Sequence, residues 1–308
     1  MKLHNRDMAP HPSRLNDLFT SKNPVDVLKF YKNFNNIEQL INWMRNRPAA
    51  KINIIERNGD TDIVVVVLTA NNKSKYALNS SKLYKGQKII FVESSGPYFN
   101  YSKSANCGLK YALKFKPKWI ILSNDDNFKV DNIRKLKNEL KNIKKNDAKV
   151  VFASGFSQHS AQSYLSVGKS LLTLYRFMRN NVTREEQIVL NKFGVHVYYQ
   201  LYIGRLTRLL YWFFFKRLIK FTCTGPFSIF NATFVKDVDG KLFDETYING
   251  IEDVDLSLSL RRYASFIDFS IGTEGGGSLG KNTSRKLRDI ANLAYFNYKI
   301  AKGDINFE

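Results

Sequence analysis

The spacing of apolar positions changes period along the chain. From Pro24 to Arg47, Val27, Leu28, Phe30, Tyr31, Phe34, Ile37, Leu40, Ile41 and Met44 recur at helical spacing until Pro48 ends the run, which predicts an N-terminal helical extension. Short β-branched runs follow at 52–55, 62–68 and 88–93, with turn formers such as Asn58-Gly59 between them. Every position from Ile63 to Val67 is apolar, as expected of a central strand covered on both faces. The spacing then predicts a helix over 103–114, a buried strand at 119–122, a helix over 131–145 and a strand at 149–153. In the second of these helices Ile133, Leu136, Leu140 and Ile143 form one stripe. Strands alternating with helices predict an α/β fold with a doubly wound, mostly parallel sheet and helices on both faces. Ligands of such sheets bind at the C-terminal ends of the strands.

Between 156 and 221 the rhythm breaks into a Tyr- and Phe-rich stretch that reads as a helical insertion. It resumes with a strand over 221–230, a helix over 252–262, a strand near 266–269, a glycine-rich loop and a C-terminal helix. The expected organisation is therefore a helical extension (1–60), one half of the α/β domain (61–155), the insertion (156–221) and the other half (222–308).

Charge adds a constraint. With 48 Lys and Arg against 27 Asp and Glu, the net charge of +21 points to phosphate-rich partners: nucleic acid, anionic membrane or nucleotides. Cys107 and Cys223 are the only cysteines, so neither a disulfide framework nor a Cys-based zinc site is indicated, and the N-terminal residues lack the apolar run of a secretory signal. Both features suit a cytoplasmic setting. The most apolar stretch, 197–221, contains Arg205, Arg208, Lys216, Arg217 and Lys220, too many charges for a lipid-exposed span. Wound as a helix over 201–220, it gathers Arg205, Arg208, Lys216 and Lys220 on one side, with Ile203, Leu210, Phe214 and Leu218 elsewhere. That pattern, on a basic surface, points to a peripheral helix at the inner face of a membrane; the alternative is a helix packed on its own domain or a second subunit with its basic stems reaching water.

Against so basic a background two acidic groups stand out. Ser123-Asn124-Asp125-Asp126-Asn127 directly follows the buried strand, where carboxylates either hold a hard divalent cation beside phosphate or cap the next helix. Glu252, Asp253 and Asp255 crowd the first turn of the predicted helix, where they either answer the helix dipole or present a general base.

Taken in order, these segments resemble the inverting family 2 glycosyltransferases of the GT-A fold. The resemblance rests on Val67-Leu68-Thr69-Ala70-Asn71, Phe91-Val92-Glu93, the stretch from Phe99 to Gly108 with Ala105 and Asn106, Ser123-Asn124-Asp125, Thr224-Gly225, and Phe243-Asp244-Glu245 through Glu252-Asp253-Val254-Asp255-Leu256. It covers roughly residues 62–155 and 221–280. It implies a nucleotide diphosphate sugar donor, a glycan or lipid-linked acceptor, and Mn²⁺ or Mg²⁺ as cofactor. It further implies that Asp125, with Asp126, holds the metal, that Glu93 contacts the ribose or base, and that Asp253 is the catalytic base. Thr69, Asn71, Asn106, Asn124 and Gly225 are implied on the donor side. The chain departs from the pattern at three places. Ser123 occupies the first acidic position of the metal motif, and Glu93 stands where an Asp is usual. Ile271 to Ser278 replaces a His-bearing segment, which leaves Glu274 as a substitute ligand or as part of a flexible loop. Nucleic acid is not expected, because no zinc-finger, RRM or KH pattern accompanies the charge. A nucleotidyltransferase would need a Gly-rich phosphate loop where Asn71-Asn72-Lys73-Ser74 stands, and Ser123 leaves room for a non-catalytic member.

Overall fold

The run Ile63–Val67 forms the middle of the longest strand of a seven-stranded sheet, buried on both faces. The computed structural model describes residues 17–21, 23–143, 148–153, 161–167, 170–173, 183–195, 219–223, 227–274 and 283–305. The strands of the main sheet are β1 (Asn53–Arg57), β2 (Asp60–Thr69), β3 (Gln87–Glu93), β4 (Trp119–Asn124), β6 (Val150–Ala153), β10 (Phe227–Asn231) and β11 (Ala264–Ile267), in the order β1-β3-β2-β4-β10-β6-β11. Only β1 and β10 run against the rest, so the sheet is mixed but mostly parallel. A short ribbon pairs β5 (Asn127–Lys129) with β12 (Ile271–Thr273).

Helices cover both faces, a Rossmann-like arrangement. On one side α4 (Lys75–Leu83) and α6 (Ile133–Asn142) bring Ala77, Leu83, Leu136 and Leu140 against Val65, Val67 and Ile121. On the other, α5 (Tyr101–Ala112) and α8 (Ala232–Asp237) bring Ala105, Leu109 and Val235 against Val64, Val66 and Ile120. Gly108 permits the closest approach of α5, since a Cβ there would come within 2.4 Å of a Val66 methyl. The chain passes from β2 through α4 to β3 on one side of β2, then through α5 to β4 on the other. This makes the C-terminal ends of β2 and β4 a topological switch point, where such sheets hold ligands.

A third core is mostly helical, with Tyr247 and Ile248 of the loop before the 252–260 helix packed into it. It joins α1 (Asp17–Thr20), α2 (Pro24–Phe30), α3 (Ile37–Arg45) and α7 (Arg184–Lys192) to α9 (Glu252–Leu260) and the long α10 (Thr283–Lys302). The Tyr31 hydroxyl donates to Leu287 O at 2.5 Å and accepts from Ala291 N at 3.2 Å, inserting itself between consecutive turns of α10. Buried Arg288 reaches back to the carbonyls of Leu18 and Ser21. The expected extension thus shares its core with the C-terminal helix. It is also not one continuous helix: a 3-10 turn at Tyr31–Asn33 follows α2, and Asn36 starts α3 afresh by accepting from Gln39 N at 2.9 Å.

The helical insertion expected over 156–221 is corrected. β7 (Ala161–Val167), β8 (Ser170–Thr173) and β9 (Ile219–Cys223) form a three-stranded antiparallel sheet in the order β8-β7-β9, and α7 is the helix described within that span. Ala161 pairs with Cys223, a contact between residues far apart in sequence that local periodicity cannot report. Because β9 begins at Ile219, the helical projection over 201–220 does not hold at its end, and 201–218 lie outside the described residues, as does Gly225. Among the described residues no helix is long and apolar enough to cross a membrane.

Candidate functional site

The sheet's C-terminal edge brings three strand ends level, with Thr69 opposite Glu93 and Leu68 opposite Asn124. Asp125 follows in the turn after β4. Its Oδ2 accepts from Thr69 Oγ1 at 2.6 Å, its N–H donates to Leu68 O at 3.2 Å, and its carbonyl accepts from Ser80 Oγ at 3.1 Å. Burial, partly offset by the Thr69 hydrogen bond and reinforced by the Asp126 charge, raises the Asp125 carboxyl above its ordinary value. Asn124 beside it keeps a buried Oδ1 with no hydrogen-bond partner among the described residues.

Ser123 takes no part in that edge. It is fully buried on the α4 side, accepting from the Tyr84 hydroxyl at 2.8 Å and from Asn127 Nδ2 at 2.9 Å while donating to Asn124 O. A carboxylate at this position would lie in the core between β4 and α4, which accounts for the serine. The glycine-rich segment arrives on the other flank. Glu274 N donates to Asp126 O at 3.0 Å, and the Tyr76 hydroxyl bonds the Glu274 side chain close to Asp125 and Asp126. Glu274 therefore stands beside the acidic turn. Among the described residues no group of three or more His, Cys, Asp or Glu side chains is close enough to hold a metal.

Glu93 is committed at least in part to the neighbouring loop. Asn72 donates to Glu93 Oε2 through its backbone N at 2.9 Å and its side chain at 2.6 Å, and these bonds hold the carboxyl below its ordinary value. Asn71 caps the same turn, its Oδ1 accepting from Lys73 N at 2.8 Å. Asn106 lies on the donor side by resemblance, yet it is buried and fully engaged elsewhere. Its Oδ1 accepts from Leu242 N at 3.1 Å and Phe243 N at 2.9 Å, and its Nδ2 donates to Phe243 O and Glu245 Oε1. In this structure it clamps the 242–245 segment onto α5.

That segment leads to the second acidic group, and more asparagines fix its path. Asn100 Nδ2 donates to the carbonyls of Glu245 and Tyr247, Asn249 joins Phe99 O and Tyr101 N, and Asn292 of α10 bonds both the N–H and the C=O of Ile248. Asn249 at φ 56° and Ile251 at φ 69° are left-handed, and for a β-branched residue this costs on the order of 1–3 kcal/mol. Between them, Gly250 passes so close to α10 that a Cβ would meet Asp289 Oδ1 at 2.8 Å and Asn292 Nδ2 at 2.9 Å. The acidic start of α9 thus sits on a strained, many-times-pinned loop.

The carboxylates of this group differ in what they do. Asp255 is buried against Lys299 at 2.5 Å, and Lys299 also bridges Asp244 at 3.0 Å, with the Tyr295 hydroxyl on Asp244 at 2.7 Å. These two acids are spent on tying the loop to α10. Glu252 is buried with Oε2 unbonded among the described residues, and burial, then the Asp253 charge, pushes its carboxyl up to about 8. Loss of solvent around its carboxyl likewise pushes Asp289 up to about 6. Asp253 is half-buried and faces a narrow cleft between α9 and the sheet, its Oδ1 accepting from Val254 N at 2.9 Å. Tyr101 joins the two groups. It lines the same cleft, and its hydroxyl feels the charges of Asp253 and Asp126, joined by Glu252 where that carboxyl ionises.

A stability effect follows from Glu252. An unfolded chain releases this proton near the ordinary 4.5, whereas the folded one holds it to about 8, so stability falls as pH rises through that window. Glu252→Gln should match wild type near pH 5 and melt about 3 °C or more higher at pH 8, read by thermal denaturation across pH. An unchanged pH dependence would show that the carboxyl is not held neutral.

Compared with known proteins, the chain matches no family model and no curated sequence.

Proposed function

We propose that this protein is an inverting glycosyltransferase on a GT-A type fold, moving a sugar from a nucleoside diphosphate to an acceptor hydroxyl. The observation that carries the reading is that Asp126, in the turn at a strand end of the switch point, and Glu252-Asp253, at a helix start, lie within electrostatic reach of the same residue, Tyr101, which shares a cleft with Asp253. Asp253 is the base: it takes the acceptor proton as the acceptor oxygen bonds to the anomeric carbon. The bond from that carbon to the diphosphate breaks, and its electron pair leaves with the diphosphate. Attack opposite the leaving group inverts the centre.

The residues present fit a divalent cation held jointly with substrate. Asp125 and Asp126 are adjacent carboxylates in a partly desolvated turn, and Mg²⁺-like ions typically take one or two carboxylates plus phosphate oxygens. Bound there, such an ion would neutralise charge on the departing diphosphate. A nucleic-acid groove is disfavoured at this edge, where Asp125, Asp126, Glu274 and Asp253 would face phosphates. A lipid-linked acceptor and contact with the inner membrane face have their support in the sequence of 197–221.

The test is a panel of UDP-, GDP- and dTDP-sugars with Mn²⁺ or Mg²⁺, followed by release of the nucleoside diphosphate. One donor should be turned over, with chelator abolishing release and an inverted anomer appearing by NMR. If the protein neither binds nor cleaves any member of the panel, the class is wrong.

A further inference from the structure

Four of the eight large apolar side chains left exposed among the described residues belong to two neighbouring elements. Tyr76 and Leu78 are on α4, and Phe128 and Val130 are on β5 and the bend after it. Helix α4 packs on β5, and the Tyr76 hydroxyl bonds the side chain of Glu274, which follows β12, the partner of β5. These side chains therefore gather along one rim rather than scatter over the surface. The Phe128 ring already lies over Gly272, where a Cβ would meet it at 2.2 Å, and it still keeps 43% of its surface in solvent.

The same rim is basic. On α4, Ala77, Ser80 and Leu83 are buried, which leaves Lys75 and Lys82, about a turn either side of Leu78, on the outer face with it. Lys73 is exposed just before the helix, and Lys129 on the ribbon. None of these four lysines is ion-paired with a described residue. The acids nearby are engaged, Glu274 by Tyr76 and Asp131 by Lys135 at 2.9 Å.

Exposed apolar side chains gain by leaving water, and unpaired lysines gain by nearing negative charge. A bilayer with anionic head groups offers both at once, its acyl boundary to the first and its phosphates to the second. A nucleic acid would satisfy the lysines alone and leave Leu78 and Val130 in polar surroundings.

We infer that α4 and the β5–β12 ribbon form a docking surface for an anionic membrane, with Leu78 and Phe128 entering the acyl boundary and Lys75 and Lys82 meeting head-group phosphates. The surface borders the acidic turn, since Ser80 Oγ donates to Asp125 O at 3.1 Å and Glu274 N to Asp126 O at 3.0 Å. Docked this way, the protein holds the Asp125 edge at the lipid surface. The inference concerns binding alone, so it stands apart from the sugar transfer and from the sequence of 197–221.

The experiment is co-sedimentation of the 308-residue chain with phosphatidylcholine vesicles, with and without phosphatidylglycerol. It compares wild type, Lys75→Gln/Lys82→Gln and Leu78→Ser/Phe128→Ser, each with its melting temperature. Wild type should bind the anionic vesicles and not the neutral ones. The lysine variant should bind about 25-fold more weakly, about fivefold for each charge removed, and melt as wild type does. The apolar variant should bind at least about tenfold more weakly. If it also melts lower, Leu78→Ser alone takes its place, with a loss of at least about threefold expected. Absence of vesicle binding by wild type overturns the inference. Binding that both variants keep overturns it too, placing membrane contact elsewhere, 197–221 included. Loss in the lysine variant alone marks attraction without insertion, and duplex DNA bound as tightly as the vesicles marks a nucleic-acid face; either result also overturns it. None of these outcomes touches the sugar transfer, which the nucleotide-sugar panel decides.

Discussion

Asp253→Asn should lower the rate of sugar transfer by about 10²–10⁴ while leaving the fold and the affinity for nucleoside diphosphate intact. A positioned base contributes on that scale, and the amide cannot take a proton. An asparagine keeps two of the contacts of Asp253 that hold the start of the helix: its Oδ1 accepts from Val254 N, and its carbonyl accepts from Ser257 Oγ. Neighbouring acids are poor substitutes. Asp255 is buried on Lys299, and Glu252 holds its own proton at neutral pH. Single-turnover rates and a melting curve on the same preparation check this. Full activity in the variant would remove Asp253 from the chemistry.

Asp125→Asn should weaken UDP–Mn²⁺ binding by at least about 100-fold, since even outer partners of a metal are worth 10–100-fold. Stability should move the other way. The Asp125 carboxyl is raised by burial and by the adjacent Asp126 charge, so a neutral side chain removes a repulsion, while the amide oxygen still accepts from Thr69 Oγ1. The variant should therefore melt no lower than wild type in the absence of ligand and lose most of the stabilisation that UDP–Mn²⁺ gives. Calorimetric titration and thermal shift report the two effects separately. A lower melting temperature with unchanged affinity would make Asp125 a structural residue.

What the sequence disclosed was whatever depends on neighbours along the chain. The uninterrupted apolar run at Ile63–Val67 could only be a doubly covered strand, and the stripe Leu136, Leu140 could only be one face of a helix. Helix α4 went unpredicted because its polar and apolar positions are poorly segregated: Leu78 is exposed and Ser80 is buried beneath it. Asn36 was readable in principle as a helix start inside the extension, since a local side-chain cap is what divides it. The strands at 161–173 and 219–223 were not, because their pairing joins distant segments.

For the candidate site the division is similar. The acidic groups were visible as carboxylates at element ends in a basic chain. Which of them is exposed to a cleft was not, because it depends on Lys299 neutralising Asp244 and Asp255 from a separate helix. Asn106 shows the same limit. Its motif suggested a ligand, and only the approach of 242–245 reveals where its amide is spent. Tyr101 carried no signal beyond being an aromatic residue at a helix start.

The clamps on the loop that carries Asp253 also set an order of events during synthesis. Asn100 and Asn106 have left the ribosome long before residues 242–249, and can catch that segment as it emerges. Asn292 and Lys299 have not: each engages a residue made at least 44 positions earlier. Until α10 is translated, the nascent chain can hold its acidic turn and the Asn249 bonds to Phe99 and Tyr101, but the strained backbone at Asn249 and Ile251 lacks the Asn292 and Lys299 contacts beside it. A growing chain can therefore present the Asp125 half of the edge while the Asp253 half is only partly pinned, and the last clamps on it close once the 283–302 helix has docked.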